Sequence, residues 1–201
     1  IGDRAYGDSA AAVAELGRAA CEGLLAGGVL PVLKHIPGHG RAAVDTHHAL
    51  ARVTAPLATL TASDFAPFRA LADMPLAMTA HIVYTALDAE HPATLSRRVI
   101  DEAIRASIGF DGLLLTDDLS MRALGGSFAE RAAGALDAGC DVVLHCNGDR
   151  AEMTEVASAV GPLSPAARTR LDRAQARRGA AQPIDRPALE ARFQALIAGA
   201  A

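Results

Sequence analysis

GLLLTDDLSM, residues 112–121, carries an unbroken apolar run straight into two adjacent carboxylates. A short continuous apolar segment is the mark of a strand covered on both faces, as in a parallel sheet wrapped by helices. Segments 29–33, 76–84 and 141–146 read as strands on the same grounds. Alanine-rich segments 10–26, 62–72, 96–107, 128–138 and 151–160 lie between or after them with helical periodicity, most having Ser, Asp or Asn near the start. This alternation predicts βα units and a parallel sheet. The residues able to do chemistry cluster at the strand ends: Lys34 and His35, His81, Asp117 and Asp118, and His145. In parallel α/β folds those carboxyl ends form the binding face. The alternation suits a doubly wound sheet as well as a barrel, and four strands are fewer than a closed barrel of eight needs, so motifs must decide.

Composition narrows the classes. The chain has 201 residues, 51% of them hydrophobic, enough for a substantial core, and the length suits one domain or a large part of one. Its 19 basic and 23 acidic residues are dispersed and leave a net charge of −4, so no basic stripe offers itself to a phosphate backbone and nucleic acid is not an expected partner. No apolar run reaches the roughly 18–20 residues of a bilayer span, and the start IGDRAYGDSA lacks the layout of a secretory signal, so a cytoplasmic location is expected. Cys21, Cys140 and Cys146 lie in or beside apolar segments and read as reduced core residues. Residues 162–201 carry arginines at helical spacing and two proline breaks, predicting two terminal helices packed outside the sheet.

KHIPGHGRAAVDTHHAL, residues 34–50, holds four of the seven histidines and the only lysine. His35 and His39 have the i, i+4 spacing of a helical metal pair, but Pro37, Gly38 and Gly40 oppose a helix, and the adjacent His47 and His48 diverge. No metal site is expected. Asp45 and His47, two apart, can lie on one side of an extended loop, where the carboxylate would fix the imidazole tautomer and favour its protonated form. Such a pair suits proton transfer. It equally suits a loop whose Asp and His bond only the backbone. In GLLLTDDLSM, alternation puts Asp117 with Leu113 and Leu115, and Asp118 with Thr116. One carboxylate can then reach the strand-end cavity, while the other caps residues 119–123 or pairs with a neighbouring loop.

Taken together, KHIPGHG, DTHH, LLLTDDLSM and GCDVVLHC resemble glycoside hydrolase family 3, the NagZ-type β-N-acetylhexosaminidases of peptidoglycan recycling. Ile36 stands where that family usually has Phe, Thr46 and Thr116 where it has Ser, and Thr79 of MTAHIVY where it has Pro. IGDRAYGD is similar to its GDR segment. The likeness runs from about residue 1 to 150. It implies a TIM-type (β/α)8 barrel of which this chain carries the later βα units plus the C-terminal helices, all within one catalytic domain. The family's earlier strands, with an acidic residue and an arginine that help hold the sugar, have no counterpart here.

Carried over by position, the resemblance implies Asp117 as catalytic nucleophile, His47 as general acid/base and Asp45 as its partner, with Arg4, Lys34 and His35 binding substrate. It implies no cofactor. The expected activity is retaining hydrolysis of terminal, non-reducing β-1,4-linked N-acetylglucosamine from muropeptides through a covalent glycosyl-enzyme. Two alternatives stand beside it: phosphorolysis, since a histidine acid/base repels an anionic acceptor less than a carboxylate does, and a non-catalytic sugar-binding fragment lacking the first strands.

Overall fold

The computed structural model describes residues 1–42 and 50–199. After a 3-10 turn at Gly2–Arg4, helix α1 (Ala10–Ala26) leads into strand β1 (Val32–Ile36). Strand β2 (Ala51–Val53), helices α2 (Leu57–Ala62) and α3 (Ala66–Ala70), and strands β3 (Leu76–Thr79) and β4 (Ile82–Tyr84) follow. A 3-10 turn at Ala93–Leu95 and a π-wound helix at Val99–Ile108 precede strand β5 (Leu113–Asp118). The chain continues through α4 (Phe128–Ala138), β6 (Val142–Leu144), α5 (Arg150–Ala159), α6 (Pro165–Ala176) and α7 (Arg186–Ala198).

Four strands form one parallel sheet in the order β1-β3-β5-β6, with partners Leu33↔Ala77, Ala77↔Leu114 and Leu115↔Val142. The order follows the chain without reversal, as successive βα units of a barrel require, whereas a doubly wound sheet turns back at a switch point. The fold is therefore α/β with the strand order of a barrel sector. A separate parallel pair, β2-β4, continues from it through Ala51↔Ile82 and Val53↔Tyr84. The main core lies between sheet and helices and includes Ile36, Phe65, Ile82, Ile104, Phe110 and Leu114. Leu119, Leu124, Ala132 and Val156 make a second cluster under α4 and α5. No helix among the described residues is long and apolar enough to cross a membrane.

Differences from the sequence expectation have local causes. The first strand starts at Val32 rather than at residue 29, because the Val29 N–H still bonds Leu24 O, closing the end of α1. The expected helix 62–72 shortens to α3 at 66–70, which Pro67 opens, and a separate helix, α2 at 57–62, precedes it. The expected strand 76–84 breaks at Ala80–His81, where β1 ends at Ile36 and the ladder must change partner from β1 to β2. No helix forms over residues 119–123, which are turns. Cys21 and Cys140 are buried, but Cys146 is exposed just past the end of β6.

Glycine is required at the start of β5. A Cβ on Gly112 would sit 2.5 Å from the Phe110 ring and 2.6 Å from Pro75 O, because the Leu113 N–H must reach that same carbonyl at 3.0 Å. At this end of the sheet the buried Asp141 carboxylate accepts from Arg105 (3.0 Å), Arg170 (2.9 Å) and the Leu114 N–H (2.9 Å). One residue thus joins β5, the π-wound helix and α6. The two terminal helices differ in packing: α6 buries Ala167 and Ala174, while α7 buries none of its residues.

Removing one member of a buried ion pair leaves an uncompensated charge, so Asp141→Ala in the complete protein is expected to cost about 3–5 kcal/mol. Arg173→Ala, whose partner Asp111 is 64% exposed, is expected to cost under about 1 kcal/mol. Urea unfolding of the two variants checks the contrast.

Candidate active site

The carboxyl ends of β1, β3, β5 and β6 meet around the Asp117–Asp118 pair. Asp118 is held throughout. Its Oδ1 accepts the N–H groups of Ser120 (3.0 Å) and Cys146 (3.0 Å), its Oδ2 accepts the Ser120 hydroxyl, and its carbonyl accepts Nε2–H of His81 at 3.0 Å. Burial works to raise its pKa, but the donated bonds from Ser120 and Cys146 outweigh it and hold the carboxyl below the ordinary range. Asp118 is therefore the anchoring member of the pair. It caps a turn and ties β5 to the end of β6 rather than starting a helix.

Asp117 is left to face β1. Its Oδ1 accepts the Asp118 N–H at 2.9 Å, and its Oδ2 lies 3.4 Å from His35 Nε2. The fold thus brings the LLLTDD and KHIPGHG segments, about eighty positions apart in the chain, into contact. His35 is buried in β1, its Nδ1 has no hydrogen-bond partner, and its ring stands 5.3 Å from that of His39. Burial pushes its pKa down to about 4. The Asp117 charge opposes that shift, while His39, Lys34 and Arg4 reinforce it. Burial likewise lowers the pKa of His39. At neutral pH, His35 therefore meets the carboxylate as a neutral imidazole.

Lys34 and Arg4 are exposed, and both line a cavity of about 600 Å³ with His35, His39 and Arg41. Most of this cavity runs between α1 and β1, past Val13, Gly17, Cys21 and Leu71, along a strand that pairs on one side only among the described residues. Asp117 is not in its wall. The mouth carrying Lys34 and His35 belongs with the chemistry, because only there does it touch a residue in contact with Asp117. Asp45 and His47 lie outside the described residues.

The loop leading toward them is fixed from two directions. Tyr84, buried in β4, donates its hydroxyl to Gly38 O at 2.6 Å, and Arg41 Nε donates to Asp64 at 2.8 Å. Gly38 has φ +143, and a Cβ there would meet Asp64 O at 3.1 Å, so the residue must be glycine. Sequence reasoning identified neither Tyr84 nor Asp64, since nothing in their local pattern indicates a partner 46 or 23 positions away. His81, read as a residue near the pocket, is instead fully buried beneath it. Among the described residues no group of three His, Cys, Asp or Glu side chains could hold a metal ion.

The sequence profile of the glycosyl hydrolase family 3 N-terminal domain matches residues 1–178. A β-hexosaminidase of Bordetella parapertussis is 42% identical over 151 residues, covering 73% of this chain and 42% of that protein. One from Chromobacterium violaceum is 38% identical over 177 residues, covering 86% and 49%. Among solved structures, native NagZ from Neisseria gonorrhoeae aligns with TM-score 0.77 and 33% identity over 96% of this chain and 55% of its own. A family 3 β-N-acetylglucosaminidase from Paenibacillus sp. strain FPU-7 aligns with TM-score 0.77 and 34% identity, covering 91% and 38%. The chain spans just under half the length of the curated relatives it matches.

The depressed pKa of His35 links stability to pH. Below about pH 6.5 the unfolded chain takes up a proton that the folded site refuses until about pH 4, so stability falls as pH drops through that window. His35→Gln is expected to flatten this loss, with the histidines at 39 and 81 supplying the remainder. Melting temperatures of parent and variant between pH 7 and pH 4 measure the difference.

Proposed function

Since this chain belongs to glycosyl hydrolase family 3, we propose that it forms part of the catalytic barrel of a retaining β-N-acetylglucosaminidase. Its substrates are muropeptides, from which it removes terminal, non-reducing β-1,4-linked N-acetylglucosamine during peptidoglycan recycling in the cytoplasm. The observation that best supports this reading is the 3.4 Å approach of His35 to Asp117, which joins the two most distinctive motifs at one strand-end site.

In the proposed reaction a carboxylate oxygen of Asp117 attacks the anomeric carbon. The glycosidic C–O bond breaks, and the leaving oxygen takes a proton from His47, kept protonated and held in orientation by Asp45. Water then attacks the glycosyl-aspartate ester, His47 accepts the water's proton, and Asp117 leaves as carboxylate with net retention at the anomeric carbon. Lys34 and Arg4 present cationic donors to sugar hydroxyls from the cavity mouth. A neutral His35 suits this scheme. An imidazolium at 3.4 Å would draw charge from the attacking oxygen, whereas a neutral ring can orient the carboxylate and leave its nucleophilicity intact.

Asp117→Asn in the complete protein is expected to lower release of 4-nitrophenol from the N-acetyl-β-D-glucosaminide on the order of 10⁴-fold. Parent-level turnover would refute the nucleophile assignment. His47→Gln is expected to cost about 10²–10⁴-fold with an alkyl leaving group, and far less with dinitrophenol, which needs no protonation to depart. Identical losses with both leaving groups would rule out the acid role. Product analysis in phosphate buffer separates hydrolysis, which gives free sugar, from phosphorolysis, which gives sugar 1-phosphate.

A further inference from the structure

His81 is wholly buried, yet its ring makes hydrogen bonds at both nitrogens. The Asp118 carbonyl can only accept, so Nε2 carries a hydrogen. Burial disfavours the imidazolium, overcoming the bond to Asp118 and the nearby carboxylates of Asp117 and Asp118. Nδ1 of the neutral ring therefore accepts, and the hydroxyl 2.7 Å away on Thr94 is its donor. The Thr94 oxygen accepts in turn from the Thr79 hydroxyl at 2.8 Å, an atom also fully buried. With the single Thr94 hydrogen on Nδ1 at 2.7 Å in preference to the Ala80 carbonyl at 3.2 Å, every donor in this chain points one way: Thr79 to Thr94, Thr94 to His81, His81 to Asp118.

Such a core is costly as packing alone, because three polar side chains are buried where apolar groups of the same volume would need no partners. Its output is the Asp118 carbonyl. The β5–β6 ladder shifts register between Leu115 and Asp118, so that carbonyl lies at the irregular end of the strand. The same residue's N–H holds Asp117 Oδ1 at 2.9 Å.

We propose that His81, its tautomer set by Thr94 and Thr79, is a positioning residue that fixes the Asp118 backbone and through it the attacking carboxylate of Asp117. The inference rests on the proposed nucleophilic role of Asp117. His81 touches no substrate. It acts by restricting rotation about Asp118, so that the N–H on Asp117 Oδ1 stays aimed while Oδ2 faces the sugar.

The test uses the complete protein with His81→Ala, His81→Gln and Thr94→Val. Readouts are kcat and KM on the 4-nitrophenyl glycoside, the rate of covalent labelling of Asp117 by a 5-fluoro glycosyl fluoride followed by mass spectrometry, and melting temperature. A misplaced reacting group costs up to about 10²-fold, so His81→Ala is expected to lower kcat roughly 10- to 100-fold with KM within about twofold. Labelling should slow in parallel. His81→Gln, whose amide N–H can reach the same carbonyl, should recover most of the loss. Thr94→Val should lower kcat by a smaller factor. An unchanged kcat in folded His81→Ala overturns the proposal. If that variant does not fold, a folded His81→Gln or Thr94→Val with the parent's melting temperature decides: a kcat loss matched by an equal rise in KM, or no slowing of labelling in Thr94→Val, overturns it. A parent that turns over substrate without labelling at Asp117 instead refutes the nucleophile assignment, and the positioning role falls with it.

Discussion

Asp118 is where the strand ends are tied. Its carboxylate binds the Cys146 N–H beyond β6 and closes its own turn through Ser120, while its carbonyl accepts the Nε2–H of His81 from between β3 and β4. Adjacent parallel strands have no hairpin to fix their carboxyl ends relative to one another, so side chains and loop amides must do so. One ionised residue meeting this need on two neighbours also determines what its predecessor does. With Asp118 committed, Asp117 is the carboxylate left to meet His35.

The opposite end of the sheet is built on the same principle with different residues. Asp141 receives two guanidinium groups and a backbone amide, and Arg170 reaches on to Asp111. There the arginines hold α6 against the sheet. In barrel-type folds this division is general: residues at the amino end of the strands serve stability, and residues at the carboxyl end are available for chemistry. Arg105, Arg170 and Arg173 thus find structural partners, whereas Lys34, with Arg4, stands exposed at the cavity mouth.

Histidine serves several purposes within a small volume. His35 faces a carboxylate while burial keeps it neutral, and His81 links two hydroxyls to a carbonyl. His145 donates toward Glu152 at 2.9 Å beneath the edge of Phe128. A neutral imidazole can donate at one nitrogen and accept at the other, as that of His81 does, so it can be buried at a cost an ammonium or guanidinium would exceed. Which nitrogen does which depends on the partner, and every partner here comes from another element.

Much of this was legible in the sequence. Continuous apolar runs between alanine-rich helices determined the α/β class and the parallel sheet, and helices 10–26 and 128–138 were readable to the residue because their Ser9 and Ser127 caps are local. Alternation along GLLLTDDLSM established that the two carboxylates must divide their roles, and the spaced motifs carried the family. Only the tertiary structure decided which aspartate anchors and which faces His35. It also decided that His81 is buried under the site, that Tyr84 and Asp64 hold the Gly38 loop, and that Cys146 is exposed. Caps and periodicity depend on neighbours within a turn, which a sequence contains. A hydrogen bond between residues 37 or 46 positions apart depends on strand register and on where a ladder breaks, and those are set only when the sheet is assembled.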